Sequence, residues 1–187
     1  MEVASKTRDA ERTRAAILQA AQIAFSQRGF AAVGVRDITA MAAVNPSLVS
    51  RYFGSKERLF EEALAELLDT RLLTSVPRES YGVQLMQLFT TDPADRRNPL
   101  PMLVLATADP VSREIADRLL RSLVVAPLVQ WFGSDDGEER AARLVMIAVG
   151  FFNYRLLYPL APLTGEVAPA TRRWLERTLQ AVIDDPA

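Results

Sequence analysis

The chain has no cysteine and no histidine among its 187 residues. Without cysteine, disulfide frameworks, zinc ribbons, thiolate metal sites and thiol nucleophiles are excluded. Without histidine there is no imidazole ligand, no histidine-based triad, and none of the side chain most often used as a general base near neutral pH. An enzyme built on this chain would have to work with carboxylates, lysine, tyrosine or a bound cofactor. No metal-binding cluster, no glycine-rich phosphate loop and no carboxylate pair on one helix face stands out, so the expectation is a protein without catalytic residues, metal or cofactor. Long hydrophobic runs are missing too. The best candidate, residues 144–157, falls short of the ~20 residues a membrane span needs and is broken by Asn153 and Arg155. Residues 1–14 are charged and hold no apolar stretch for a signal peptide. A soluble, cytoplasmic protein with no membrane partner is expected.

What is present is ordinary for a folded protein: 49% hydrophobic and 24% charged residues, in a length that suits one domain or a small one fused to a larger. The net charge of −1 hides an asymmetry. Residues 1–60 hold nine basic groups (Lys6, Arg8, Arg12, Arg14, Arg28, Arg36, Arg51, Lys56, Arg58) against five acidic ones, a net +4, and the remainder carries −5. A basic head on an acidic body suggests a polyanion-binding end.

Helical periodicity runs almost throughout, with no convincing two-residue alternation. Residues 9–28 form a first helix with an apolar face of Ile17, Leu18, Ala21, Ala24 and Phe25, ended by Gly29 as a left-handed C′ residue. Two short helices, 35–42 and 46–52, are separated by Ala43, Val44 and Asn45. Asn45 is a good N-cap for the second, and Pro46 suits its first position. Ser55 caps a longer helix over 56–73. Further helices are expected at 81–89, at 100–108, from Pro110 with Asp109 as cap and a kink or split at Pro127, at 138–157, and at 169–183. Residues 90–101 are expected to be turn-rich and mobile, 133–137 a loop and 158–168 a connector. The fold class is all-α with about nine helices.

Eight residues of helix, a three-residue turn and a seven-residue helix match the spacing of a helix-turn-helix. Ile38, Ala42, Val44, Val49 and Phe53 would form its small core, leaving Pro46, Ser47, Ser50 and Arg51 facing outward. Arg51 can offer paired donors to guanine, Ser47 and Ser50 can bond base edges or phosphates, and Leu48 or Pro46 can touch a thymine methyl. Lys56 at a helix N-terminus and Arg36 near the start of the preceding helix suit phosphates.

The residues Arg14-x-x-Ile17-Leu18-x-x-Ala21-x-x-x-Phe25-x-x-x-Gly29-Phe30, Val35-Arg36-Asp37-Ile38 and Ala42-Ala43-Val44-Asn45-Pro46-Ser47-Leu48-Val49-Ser50-Arg51-Tyr52-Phe53-Gly54-Ser55-Lys56-Glu57-x-Leu59-Phe60 resemble the N-terminal domain of TetR/AcrR-type transcriptional regulators. The tail Tyr-Phe-Gly-Ser-Lys-Glu-x-Leu is the most specific part. The resemblance implies an all-helical homodimeric repressor with a DNA-binding helix-turn-helix domain over 1–55 and an effector-binding and dimerisation domain over 56–187. Carried over by position, the DNA-facing set is Arg36, Pro46, Ser47, Leu48, Ser50, Arg51, Tyr52 and Lys56. Two positions depart from the family's habit: Ala43 stands in the turn where glycine is usual, and Ser50 replaces a tyrosine that many members turn toward a phosphate. If Ala43 must adopt positive φ, it costs on the order of 1 kcal/mol.

Beyond residue 73 no motif survives. The runs 101–106 and 124–132 are too apolar for one-sided burial, and form either a thick core or the lining of a cavity for an apolar ligand. The candidate lining is Phe60, Leu64, Met86, Phe89, Leu103, Thr107, Leu128, Trp131, Phe151 and Arg155. Arg155 lies on an apolar helix and needs a partner: a carboxylate ligand, Asp109 or another acid, or the rim of a dimer. Dimerisation is expected through Met146, Gly150, Tyr154 and Leu157 on one helix and Leu175, Thr178, Leu179 and Val182 on the last, forming a twofold four-helix bundle. The expected partners are a double-stranded DNA operator with (pseudo)palindromic symmetry, a small hydrophobic effector that releases it, and a second copy of the chain. The competing reading is a helical protein-interaction module with a silent helix-turn-helix.

Overall fold

Helix α1 (Glu2–Ala32) grows from the spacing of Ile17, Leu18, Ala21, Ala24 and Phe25, all of which are buried. Gly29 interrupts it with φ 76° and ψ 168°. This is an extended conformation at positive φ rather than the expected left-handed helical one, and only glycine reaches it without strain. The computed structural model describes residues 2–90 and 98–184, so most of the stretch expected to be turn-rich lies outside the described residues. The architecture is all-α, with no strand among the described residues.

Two compact units divide the chain: Met1–Leu68 with Arg97–Leu119, and Asp69–Arg96 with Leu120–Ala187. In the first, α1 is joined by α2 (Val35–Met41), α3 (Ser47–Phe53), α4 (Lys56–Leu67), α7 (Leu100–Ala106) and most of α8 (Pro110–Leu120). Helix α4, expected in the second domain, packs against α1 inside this unit. Its core is an aromatic triad: the Phe60 ring lies 5.2 Å from Phe25 and 5.3 Å from Phe30, both edge-on. Asp109 caps α8 as expected, accepting the Ser112 N–H at 2.9 Å.

Helix α4 stops at Leu67 rather than 73, because Asp69 starts a new turn. Its carboxylate accepts the Arg71 N–H at 3.0 Å, opening the one-turn α5 (Arg71–Thr74). That turn belongs to the second unit, with α6 (Tyr81–Thr90), α9 (Ala126–Phe132), α10 (Gly137–Phe152) and α11 (Pro169–Asp184). Pro127 does not split its helix. A π-turn over Arg121–Val125 precedes α9 and carries the chain through. A second π-turn, Asn153–Leu157, extends α10. Helices α6 and α11 approach closely at Gly82, where a Cβ would stand 1.9 Å from the Glu176 carbonyl oxygen. Arg140 is buried and neutralised by Asp136 at 2.6 Å, and it donates to the carbonyls of Val182 at 3.3 Å and Ile183 at 2.7 Å. A buried guanidinium thereby satisfies the last carbonyls of α11, at the helix end that favours a cation.

Candidate nucleic-acid interface and effector region

The start of α2 is held by Asp37. Its carboxylate accepts the Gly34 N–H at 2.8 Å and a guanidinium N–H of Arg28 at 2.8 Å. The backbone bond first, and then Arg28, keep this carboxyl below the usual aspartate range. Beyond α2 the chain turns at Ala43 with φ 53°, the only positive φ outside glycine among the described residues. The Val44 N–H reaches back to the Thr39 carbonyl at 2.9 Å. Asn45 performs its expected capping, its side-chain oxygen accepting the Ser47 N–H at 2.9 Å and the Ser47 hydroxyl at 2.8 Å. The hydroxyl hydrogen of Ser47 is thus committed, and its oxygen faces outward as an acceptor.

Behind α3, Ile38, Val49 and Phe53 are buried, while Ala42 and Val44 are half-buried. Arg14 reinforces this side: its guanidinium stands 4.8 Å from the Phe53 ring and pairs with Glu62. In front, Pro46, Ser47, Ser50 and Arg51 are exposed, as is Arg36 on α2, whereas Leu48 and Tyr52 are half-buried. Arg51 leans toward the Tyr52 ring at 5.9 Å. At the start of α4, the Ser55 hydroxyl accepts the Arg58 N–H at 3.2 Å. The Lys56 ammonium sits 4.1 Å from the centre of the Phe30 ring. Lys56 is therefore half-buried and fixed by an aromatic ring of the core, a contact between residues 26 apart in sequence that no local pattern announces.

The ten residues expected to line an effector cavity fall in both units. In the first, Phe60 and Leu64 are fully buried, Leu103 is half-buried, and Thr107 is exposed with its hydroxyl donating to the Val104 carbonyl at 2.6 Å. Its hydroxyl thereby satisfies its own helix end. An open cleft of about 410 Å³ in this unit is lined by Glu11, Arg14, Ala15, Leu18, Gln19 and Glu66, none of the expected set. In the second unit, Met86 and Leu128 are buried, and Phe89 stacks on Phe151 at 5.6 Å. Phe152, not singled out in the sequence, joins them 4.9 Å from Phe89. Arg155 stands 5.8 Å from the Phe151 ring and donates to the Leu163 carbonyl at 2.5 Å. Its partner is a backbone oxygen of the following connector, not an acid.

A second aromatic group gathers around Trp131, with Tyr81 at 5.3 Å and Phe132 at 5.1 Å. The Arg78 guanidinium lies 4.6 Å from the Trp131 ring and donates to the carbonyls of Trp131 at 2.5 Å and Phe132 at 3.3 Å. Tyr81 is fully buried, and among the described residues its hydroxyl is a buried polar atom with no hydrogen-bond partner. Such an orphan costs roughly 1–3 kcal/mol, and burial pushes its ionisation up. Periodicity marked Tyr81 only as the start of a helix. Its role as an unpaired polar group in an apolar core is visible only once the helices are packed.

Of the residues expected at a dimer seam, Met146 is 68% exposed and Tyr154 45% exposed, while Gly150 and Leu157 are half-buried. A Cβ on Gly150 would meet nothing within 4 Å. On α11 the expectation is corrected: Leu175, Leu179 and Val182 are buried in the protomer's own core, and Thr178 is half-buried. The exposed large apolar residue of that helix is Trp174, at 56%.

The fold and its outward-facing α3 define a helical regulator with an N-terminal helix-turn-helix. The family model "Bacterial regulatory proteins, tetR family" matches residues 17–63, and the "Tetracyclin repressor-like, C-terminal domain" model matches residues 79–183. The chain belongs to the TetR family. The HTH-type transcriptional repressor Rv3405c of Mycobacterium tuberculosis is 49% identical over 67 residues, 35% of this chain and 36% of that protein. The match thus spans about a third of that relative's length. The TetR-family regulator SCO0857 from Streptomyces coelicolor is similar over 94% of this chain and 96% of its own, with 26% identity and a TM-score of 0.56. NalD of Pseudomonas aeruginosa, the secondary repressor of a multidrug efflux pump, shares the fold at 22% identity and a TM-score of 0.61, covering 95% and 96% of the two chains. No helix among the described residues is long and apolar enough to cross a membrane.

Proposed function

We propose that the chain is a cytoplasmic, ligand-responsive transcriptional repressor, binding a palindromic operator as a homodimer and released by a small, largely hydrophobic effector. The observation that carries this reading is the exposed face of α3, where Pro46, Ser47, Ser50 and Arg51 stand clear of the core with Arg36 and Lys56 on the flanking helices. In a major groove Arg51 reads guanine by paired donors, Ser47 accepts from a base amino group, and Lys56 and Arg36 hold phosphates. Residues 1–55 act as the DNA-reading part; of 56–187, the effector and dimer part, α4 packs with the DNA-reading helices in the first unit.

A single helix-turn-helix reads few base pairs, so two copies are needed to enter successive major grooves about 34 Å apart. Met146 and Val149 on α10, Tyr154 in the π-turn that extends it and Trp174 on α11 are exposed large apolar residues suited to a twofold bundle. The effector is favoured in the second unit, against the aromatic groups of Phe89, Phe151 and Trp131. It acts only through a difference in affinity between the DNA-competent and released states. The alternative, an interaction module with a silent helix-turn-helix, draws on the strained turn at Ala43.

Selection of bound fragments from the source organism's DNA at near-physiological salt tests this reading, with Arg51→Ala as control. A few palindromic sites recovered by the wild type alone are expected, with Arg51→Ala costing about 1–3 kcal/mol and relaxing preference at one base position. Lys56→Ala should weaken binding uniformly and flatten the salt dependence by about one unit. Random fragments, recovered equally by wild type and variant, would sink the repressor in favour of the interaction module.

A further inference from the structure

Tyr81 opens α6 fully buried, and its hydroxyl has no hydrogen-bond partner among the described residues. The polar groups beside it are engaged. The Gly82 N–H donates to the Gln180 side-chain oxygen at 3.0 Å, and the Gln180 amide donates to the Arg78 carbonyl at 2.9 Å. Arg78 spends its guanidinium on two backbone carbonyls and on the face of Trp131, the ring that packs against Tyr81. Buried hydroxyls are rarely left without a partner, so an orphan in an otherwise satisfied group marks a place where a partner arrives from outside the chain.

The same surroundings select the chemistry of that partner. A cationic ligand would find the Trp131 face already taken by Arg78. An anionic ligand would have to strip Arg78 from its carbonyls. Burial holds the phenol in its protonated form, leaving a donor that seeks a neutral acceptor.

We propose that the Tyr81 hydroxyl is the polar anchor of the effector site, donating to the carbonyl oxygen of an uncharged, largely apolar ketone, ester or amide. This rests on the reading of the second unit as the effector-binding part. The hydrocarbon body of the ligand lies against the buried face of α6, which carries Leu85 and Met86. Met86, unbranched and flexible, is the side chain on that face best able to give way.

The test uses the full chain, wild type and Tyr81→Phe, with benzophenone and its carbonyl-free counterpart diphenylmethane as probes. In the free protein Tyr81→Phe should keep or raise the thermal midpoint, because no hydrogen bond is lost. By calorimetry, benzophenone should bind the wild type at least tenfold more tightly than diphenylmethane, and that preference should vanish in Tyr81→Phe. A lowered midpoint for Tyr81→Phe, equal affinity of the wild type for the two probes, or no binding of benzophenone would each overturn the proposal. Operator binding is read separately. Its absence with the carbonyl preference intact would remove the repressor reading and leave the anchor in place.

Discussion

The Thr70 hydroxyl donates to the Leu123 carbonyl at 3.0 Å. The residue four positions beyond Leu123 is Pro127, which has no N–H to complete the helical bond. A side chain distant in sequence thus serves a carbonyl that the proline leaves without its regular donor, beside the π-turn over Arg121–Val125. Thr70→Val should lower stability by about 1 kcal/mol, or up to about 3 kcal/mol if the carbonyl is left dry. Urea unfolding at unchanged slope reads this directly. In a Pro127→Ala background, where the N–H returns, the same substitution should cost measurably less.

Ala43 carries the strain anticipated for it, with φ 53°. Ala43→Gly relieves a left-handed penalty of roughly 1–2 kcal/mol and returns part of it as unfolded-chain entropy, so a net gain of about 0.5–1 kcal/mol is expected. A rise in thermal midpoint with unchanged operator preference is the expected outcome. A fall would mean that the alanine methyl makes contacts worth more than the strain.

Gly82 and Gly150 should respond oppositely to alanine. At Gly82 the new Cβ would meet the Glu176 carbonyl oxygen at 1.9 Å, so α6 and α11 must separate. Destabilisation of about 3 kcal/mol or more is expected, at the upper end of overpacking costs. At Gly150 a Cβ meets nothing within 4 Å, and replacing glycine in a helix interior should stabilise the protomer by up to about 1 kcal/mol. If the exposed face of α10 forms the dimer, Gly150→Ala should also weaken self-association, which sedimentation at several concentrations would detect.

Asp37 links acid stability to the start of α2. Its folded pKa is depressed, by the Gly34 N–H and then by Arg28, below an unfolded value of about 3.9. The stabilisation is therefore present above the unfolded value and is lost as pH falls through it toward the folded one. Asp37→Asn should flatten the acid limb of a denaturation-midpoint profile below about pH 5 and leave its shape above that unchanged. An acid limb identical to the wild type would show that Asp37 contributes nothing to this linkage.

The helix-turn-helix was legible because its signals are short-range. Asn45 caps two residues ahead, Asp37 bonds the N–H three residues behind, and the periodic Ile38, Val49 and Phe53 assign the inner face. On helix α11 periodicity says that a face is apolar without saying what covers it. By pattern the stripe of Leu175, Leu179 and Val182 suits a second copy, whereas the chain's own packing buries it. The aromatic groups of the second unit were legible only as composition. Phe89 and Phe151 come together across 62 positions, with Phe152 alongside, and Lys56 finds Phe30 across 26.

By itself the amino-acid sequence determined the all-helical class and the helix-turn-helix with its outward residues, because caps, turns and helical periodicity act over four residues or fewer, and the motif through Tyr52–Leu59 carried the resemblance to the family. Only the tertiary structure decided where α4 stops, that the helix runs through Pro127 behind a π-turn, which apolar stripes are core, and that the Tyr81 hydroxyl is buried without a partner among the described residues. Those outcomes depend on which distant helix supplies the missing donor, the covering face or the close backbone. Such pairings are chosen by packing the whole chain, not by any local run of residues.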